Sequence, residues 1–218
     1  MEFRCVIFDA GQVLVNFRND RLLQALAEKS EAEPTRGTPA YLDYLLFEAP
    51  EALVKPFERG EWTSTQFFQI VRAAINAPSL TEDEFFRIWN DIFLPNLGID
   101  TVLDRIQKGV RKMILSNTNP LHWGEVKRGQ EALLKHFPDD AQILSYREKA
   151  RKPEEKIFRA ALERADVAPG RIVYVDDRQE NLDTFVEFGV HGIRYDCRTD
   201  NARVLASQLE ELNVIATF

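Results

Sequence analysis

Four places along the chain carry side chains able to hold a cation or act as a nucleophile, and each follows a short apolar run. Asp9 closes the run 4–8, Ser116 and Asn117 close 112–115, and Asp176 and Asp177 close 171–175. Lys152 comes one short loop after a further run, 142–146. Brought to one cleft, the three carboxylates repel one another unless a cation holds them, and an all-oxygen set of ligands suits magnesium. The lysine then balances the remaining charge or meets an anionic substrate.

The elements that must position these groups are legible in the hydrophobic pattern. The run 4–8 is short, β-branched and apolar, as a parallel strand buried on both faces reads. Similar runs follow at 112–115, 142–146, 171–175 and 192–195. Helical patterns separate them, over 101–109, over 153–167 with Pro153 placed to start the helix, and over 181–188 with Gly189 as its stop. Strands alternating with helices predict an α/β fold, a Rossmann-like parallel sheet of about five strands with right-handed crossovers and the first strand central. All the groups named above then converge on the edge formed by the strands' carboxyl ends.

From Phe17 to about Leu97 the alternation stops and no strand is expected. Helices are predicted over 21–29, 41–47, 65–75 and 81–93, the last with Thr81 as N-cap and Glu84 completing a capping box. Phe67, Phe68, Phe85 and Phe86 read as helix-packing residues. The stretch 34–39, with proline at both ends and Gly37 between, reads as a mobile loop. The expected division is a core of residues 1–16 and 98–218 with a helical cap, 17–97, inserted after the first strand.

Composition narrows the partners. The 218 residues are 44% hydrophobic and 29% charged, enough to bury a core without disulfides or structural metal. With 28 Lys+Arg against 35 Asp+Glu the net charge is −7, which argues against nucleic acid as a partner. The two distant cysteines, Cys5 and Cys197, make neither a disulfide framework nor a zinc site. No apolar run is long enough to span a bilayer, and the strand-like start leaves no room for a signal peptide. A cytoplasmic location is expected, and monomer and homodimer are both open.

The order Phe-Asp-Ala-Gly-Gln-Val (8–13), Leu-Ser-Asn-Thr-Asn (115–119), Arg-Lys-Pro (151–153) and Val-Asp-Asp-Arg-Gln-Glu-Asn (175–181) resembles the four motifs of the haloacid dehalogenase superfamily. The likeness runs from Arg4 to about Asp196, and the helical insertion is similar to that superfamily's cap. Within it, Glu-Arg-Gly-Glu (58–61), Leu-Ser-Asn-Thr-Asn-x-Leu-His (115–122) and Arg-Lys-Pro-Glu (151–154) resemble the bacterial α-D-glucose-1-phosphate phosphatases. The phosphatase domain of mammalian soluble epoxide hydrolases is a more distant likeness.

The resemblance implies a magnesium-dependent phosphatase acting on a small phosphomonoester, such as a sugar phosphate, through an aspartyl-phosphate. Asp9 is then the nucleophile. Ser116 and Asn117 hydrogen-bond the phosphoryl oxygens, and Lys152 bridges Asp9 and the phosphoryl group. Magnesium is held by Asp9, the Gly11 carbonyl, Asp176 and Asp177, with Asp177 the better direct ligand and Asn181 orienting the site. Arg59 is a candidate to touch the leaving group from the cap, with Glu61 and Trp62 beside it. His122 follows the second motif closely and is given no catalytic role. Taken singly, Asp9 and the Asp176–Asp177 pair also read as helix caps, and the basic run around Lys152 as a solvated face; their order together decides.

Gly11 departs from the pattern, because most phosphatases of the superfamily carry a second Asp there as general acid and base. Glycine transfers no proton, and losing such a group typically costs about 10²- to 10⁴-fold. Two other readings stand beside the phosphatase: a 2-haloacid dehalogenase using Asp9 without metal, and a binding or regulatory module that kept the fold.

Overall fold

The computed structural model describes residues 2–33 and 35–216. Seven strands form among them: β1 (Cys5–Phe8), β2 (Asn16–Phe17), β3 (Phe93–Leu94), β4 (Arg111–Ser116), β5 (Gln142–Leu144), β6 (Ile172–Asp176) and β7 (His191–Arg194). Five make a parallel sheet in the order β5-β4-β1-β6-β7, with the first strand central as expected. Phe8 lies opposite Ile114 on β4 and Val175 on β6.

Because β1 is covered on both faces, all of its side chains are buried and its sequence does not alternate. Val6, Phe8, Ile114, Val173 and Val175 join one apolar cluster, while Cys5, Ile7, Met113, Leu115, Ile172 and Tyr174 join the other. That division follows the two-residue period of a strand. Fully burying a side chain of this size contributes roughly 1.5–3 kcal/mol, so the strand ends rest on a firm base. The chain steps from β1 to β4 and β5 on one side, then returns to β6 and β7 on the other. Asp9 therefore sits at the point where the winding reverses, the place where open α/β sheets leave a crevice.

The insertion is helical, with helices Asp20–Lys29, Pro39–Asp43, Val54–Glu58, Ser64–Ala74 and Glu82–Asn90 and a π-helical turn at Tyr44–Glu48. It packs around its own apolar cluster, which includes Leu26, Leu46, Phe57, Phe67, Phe85 and Trp89. Phe57 stacks on Phe67 with ring centroids 4.2 Å apart, and Trp89 meets Phe67 edge-on at 4.7 Å. Phe67, Phe68 and Phe85 are buried and Phe86 packs against the same cluster, as the pattern predicts.

Several local expectations are corrected. The insertion enters and leaves through strands: β2 and β3 pair antiparallel, Phe17 opposite Phe93, a ribbon too short to show a period. Tyr146 lies in a short helix, Ser145–Glu148, and not in β5. The helix expected from Pro153 starts at Glu155. His122 falls in a helix, Pro120–Gly129, capped by Asn119. Thr81 caps Glu82–Asn90, but Glu84 pairs with Lys29 at 2.6 Å instead of closing the box. The complete box belongs to Thr63 and Gln66, at the start of Ser64–Ala74. Of the 34–39 stretch, Pro34 lies outside the described residues, while Thr38 caps and Pro39 opens the helix Pro39–Asp43.

Candidate active site

The structure brings Asp9, Lys152, Asp176, Asp177 and Asn181 together at the carboxyl ends of β1 and β6. The Lys152 ammonium, 2% exposed as a residue, lies 2.9 Å from Asp9 Oδ1 and 2.7 Å from Asp176 Oδ2. Asp9 Oδ1 also accepts from the backbone N–H of Ala10 at 2.7 Å. Asp176 is fully buried, and both its oxygens are engaged. Oδ1 accepts from Arg178 N at 2.8 Å and Asn181 Nδ2 at 3.0 Å, and Oδ2 from Lys152 and the Tyr174 hydroxyl. Asp177 keeps a partly open side chain and lies 3.6 Å from Arg198, whose guanidinium is shared with Asp196.

Charge at the site is unbalanced. Burial pushes the Asp9 carboxyl up, Lys152 opposes that, and the charges of Asp176 and Asp177 add to it. Asp177 is pushed up to about 6, by burial first and then by Asp176, against Lys152. For Lys152 burial works against the charged form, but Asp176 and Asp9 outweigh it and hold the ammonium above its ordinary value. Asp9, Asp176 and Asp177 can each offer one oxygen with those oxygens within 4.8 Å of one another. Asn181 gives its amide N–H₂ to Asp176 and leaves Oδ1 buried without a partner. An oxygen-only set with an orphaned acceptor beside it fits a hard divalent cation.

A cavity of about 190 Å³ opens between the strand ends and the insertion. Gly11, Ser116, His122 and Arg151 line it from the core side, and Phe17, Phe47 and Glu58 from the neck and the insertion. A larger groove between helices Ile99–Arg105 and Ala202–Glu211 shares no residue with it. Ser116 stands at the wall. Asn117 does not: its side chain spans the Lys152 backbone, Nδ2 donating to Lys152 O at 3.0 Å and Oδ1 accepting from Lys152 N at 2.7 Å. The amide therefore orients Lys152 and is not turned toward a substrate.

Arg59 is likewise reassigned by its contacts. It pairs with Glu154 at 2.7 Å, and Glu58 and Arg151, paired at 3.0 Å, take the place at the cavity wall. Gly60 completes this docking. Its φ is +63°, its carbonyl accepts from Lys149 Nζ at 2.7 Å, and a Cβ there would lie 2.4 Å from Tyr146 O. Segment 58–60 thus grips the loop that carries Lys152. Glu61 and Trp62 do not line the cavity among the described residues.

His122 is half-buried, stacked on Trp89 with rings 7° from parallel, and the loss of solvent around the ring holds its imidazole down to about 4. Nε2 lies 2.9 Å from Trp89 O, which accepts only, so that nitrogen carries the proton and Nδ1 accepts from Asn119. It is a neutral pin between core and insertion. Tyr174 was missed as a site residue, because it reads as one more apolar strand position. The available signal was its spacing, two residues before Asp176 and hence on the same face of β6.

Known proteins resemble this chain in sequence and in fold. The model of the haloacid dehalogenase-like hydrolase family matches residues 3–189. D-ribitol-5-phosphate phosphatase of Bacteroides thetaiotaomicron is 25% identical over 191 residues, covering 84% of this chain and 87% of that protein. Acyl-CoA dehydrogenase family member 10 of Mus musculus is 25% identical over 215 residues; the match covers 89% of this chain but 18% of that much longer protein. A HAD family enzyme of Bacteroides thetaiotaomicron, solved in complex with magnesium and inorganic phosphate, superposes with a TM-score of 0.76 at 22% identity, covering 93% of this chain and 98% of that one.

Proposed function

Because this chain belongs to the haloacid dehalogenase-like hydrolase family, we propose that it is a magnesium-dependent phosphatase with Asp9 as nucleophile. The observation that carries the reading is the single ammonium of Lys152 set between Asp9 and Asp176 within a cluster of three carboxylates. Asp9 Oδ1 is pinned by Lys152 and Ala10, and the described residues make no hydrogen bond to Oδ2. Oδ2 is then the oxygen that attacks phosphorus. The P–O bond to the alcohol breaks, the alcohol leaves, and water later attacks the aspartyl-phosphate, which returns the carboxylate and releases phosphate.

Magnesium would be held by Asp9 and Asp177, with the Gly11 carbonyl as a further oxygen, and supplies positive charge that offsets the cluster and the phosphate. Asp176 holds Lys152 and, through Asn181, the edge of the site; with four donors already on its oxygens it would meet the ion through water, leaving Asp9 and Asp177 as the direct carboxylate ligands. Ser116 donates to a phosphoryl oxygen, and Lys152 neutralises charge as it spreads in the transition state. Displacing halide from carbon, the dehalogenase chemistry, has no use for the extra carboxylate of Asp177.

Residues 17–97 would act as the cap and 1–16 with 98–218 as the core, a division supported by the separate apolar cluster and the two-residue ribbon between them. The cap excludes water and selects the leaving group. A cavity of about 190 Å³ with a Glu58–Arg151 pair in its wall suits the hydroxyls of a sugar phosphate. The likeness to a ribitol-phosphate phosphatase supports a small polyhydroxylated phosphate in the broad sense. Both cysteines are free and no helix of the described residues is long and apolar enough to cross a membrane, in keeping with a cytoplasmic enzyme. The test is phosphate release from a panel of sugar and alditol phosphates with magnesium and with chelator. Metal-dependent release is the expected result; none from any ester, with folded protein, would sink the reading.

A further inference from the structure

Gly11 lines the cavity two residues after Asp9, and its backbone is not in the left-handed region that favours glycine. What requires glycine is a close approach. A Cβ at position 11 would lie 2.9 Å from Phe17 Cε1, with Cδ1 and Cζ at 3.7 and 3.8 Å. The edge of the Phe17 ring therefore stands where a side chain on residue 11 would begin. The ring is held in place from several directions. Phe17 pairs with Phe93 in the neck ribbon, and its carbonyl accepts from Gln12 Nε2 at 2.8 Å. Its side chain also packs against the apolar cluster of the insertion.

Each of the other titratable groups lining the cavity is already paired. His122 is neutral with both nitrogens engaged. Burial raises the Glu58 carboxyl, against which Arg151, paired with it at 3.0 Å, favours the charged form, and Arg151 and Arg178 are permanent cations. A leaving group here meets an aromatic edge.

We infer that Gly11, with the Phe17 ring standing where its side chain would begin, leaves this site without a general acid and so restricts the enzyme to phosphates whose leaving group departs as a weakly basic oxyanion. The inference rests on the phosphatase reading and goes beyond it by naming the class: anomeric, enolic or phenolic phosphates and acyl phosphates, in preference to esters of ordinary alcohols. In the step itself, Asp9 Oδ2 forms the new bond to phosphorus. The bond from phosphorus to the leaving oxygen breaks, that oxygen keeps the electron pair, and it takes its proton from solvent after departure.

The experiment measures kcat/KM for aryl phosphates of graded leaving-group acidity, with magnesium. The native protein should slow steeply as the leaving group becomes more basic, and Phe17→Ala should keep that steep dependence. Gly11→Asp alone should lose activity on every ester, because the ring blocks the new side chain. Gly11→Asp with Phe17→Ala should flatten the dependence and exceed Gly11→Asp on the most basic leaving group by about 10²-fold or more, the lower end for a general acid. Native rates that ignore leaving-group acidity would overturn the inference and leave the phosphatase reading standing, and this arm depends on no variant folding. A double variant as steep as the native protein would also overturn it. No release from any ester by the native protein would remove both.

Discussion

Asp176 and Trp89 are both fully buried, one at the strand ends and the other in the helical insertion, and they are held by opposite means. Asp176 has every oxygen occupied by a donor from Lys152, Tyr174, Asn181 or Arg178. Trp89 leaves its indole N–H without a partner and is fixed by the rings of Phe47, Phe67, Phe85 and His122. The core site is specified by charge, where each removed partner strands another. The insertion is specified by shape, where a lost ring leaves a cavity. The two regions meet through the neck ribbon, the His122–Trp89 stack, and the docking of segment 58–60 on the Lys152 loop.

The largest effects should fall on charge in the core. Lys152→Ala leaves Asp9 and Asp176 facing each other without their shared cation. Breaking a buried pair in this way costs about 3–5 kcal/mol, which denaturant unfolding of the metal-free protein would detect. Magnesium should recover part of the loss, and a stability equal to native would break the contrast. Phe67→Ala in the insertion should cost about 3 kcal/mol through its cavity, yet leave the magnesium-induced rise in Tm unchanged. Loss of that rise would mean the two regions are not independent.

Smaller effects probe the contact between the regions. Glu58→Arg or Arg151→Glu alone should lower kcat, since each disturbs the loop bearing Lys152 and leaves a partly buried charge unpaired. The double exchange should recover most of the loss, and a double variant no better than the worse single one would remove the pair from the positioning of Lys152. The pH dependence is subtler. Asp177 is raised from 3.8 to about 6 in the folded chain, so in the metal-free protein its contribution to stability is present below 3.8 and lost as pH rises through about 6. Magnesium needs the carboxylate, so the metal-induced rise in Tm should grow over that same window and be nearly absent at its acid end. A rise independent of pH would contradict the assignment of Asp177. His122 has the opposite sign. Its contribution is present above 6.5 and falls away toward about 4, which an acid unfolding curve of His122→Gln against native should reveal as a smaller loss in the variant.

Much of the core site was legible because each of its groups ends a buried parallel strand, and strand ends are marked in the sequence by an apolar run that stops. Asp9, Asp176 and Asp177 needed only that rule. Lys152 and Asn181 followed from the order of the motifs. Asn117 did not, because whether an amide faces the cleft or the loop beside it depends on the path of residues 149–153, which no local pattern encodes. The pairs Glu58–Arg151 and Arg59–Glu154 join segments over ninety positions apart, |i−j| = 93 and 95. A charged residue in sequence does not say which distant charge it meets, so the sequence alone leaves Arg59 a candidate substrate contact. Gly11 was visible as a gap in the chemistry, but the ring that fills it sits on a two-residue strand, below the length at which periodicity can speak.

The central claim is that Asp9 carries the phosphoryl group during turnover. Rapid acid quench of the native protein with magnesium and its best phosphate ester, followed by peptide mass analysis, tests it most directly. The peptide bearing Asp9 should gain the mass of one phosphoryl group, the adduct should vanish with chelator, and Asp9→Asn should show neither adduct nor turnover while remaining folded. Steady turnover with no adduct on Asp9, and an Asp9→Asn variant as fast as native, would contradict the account.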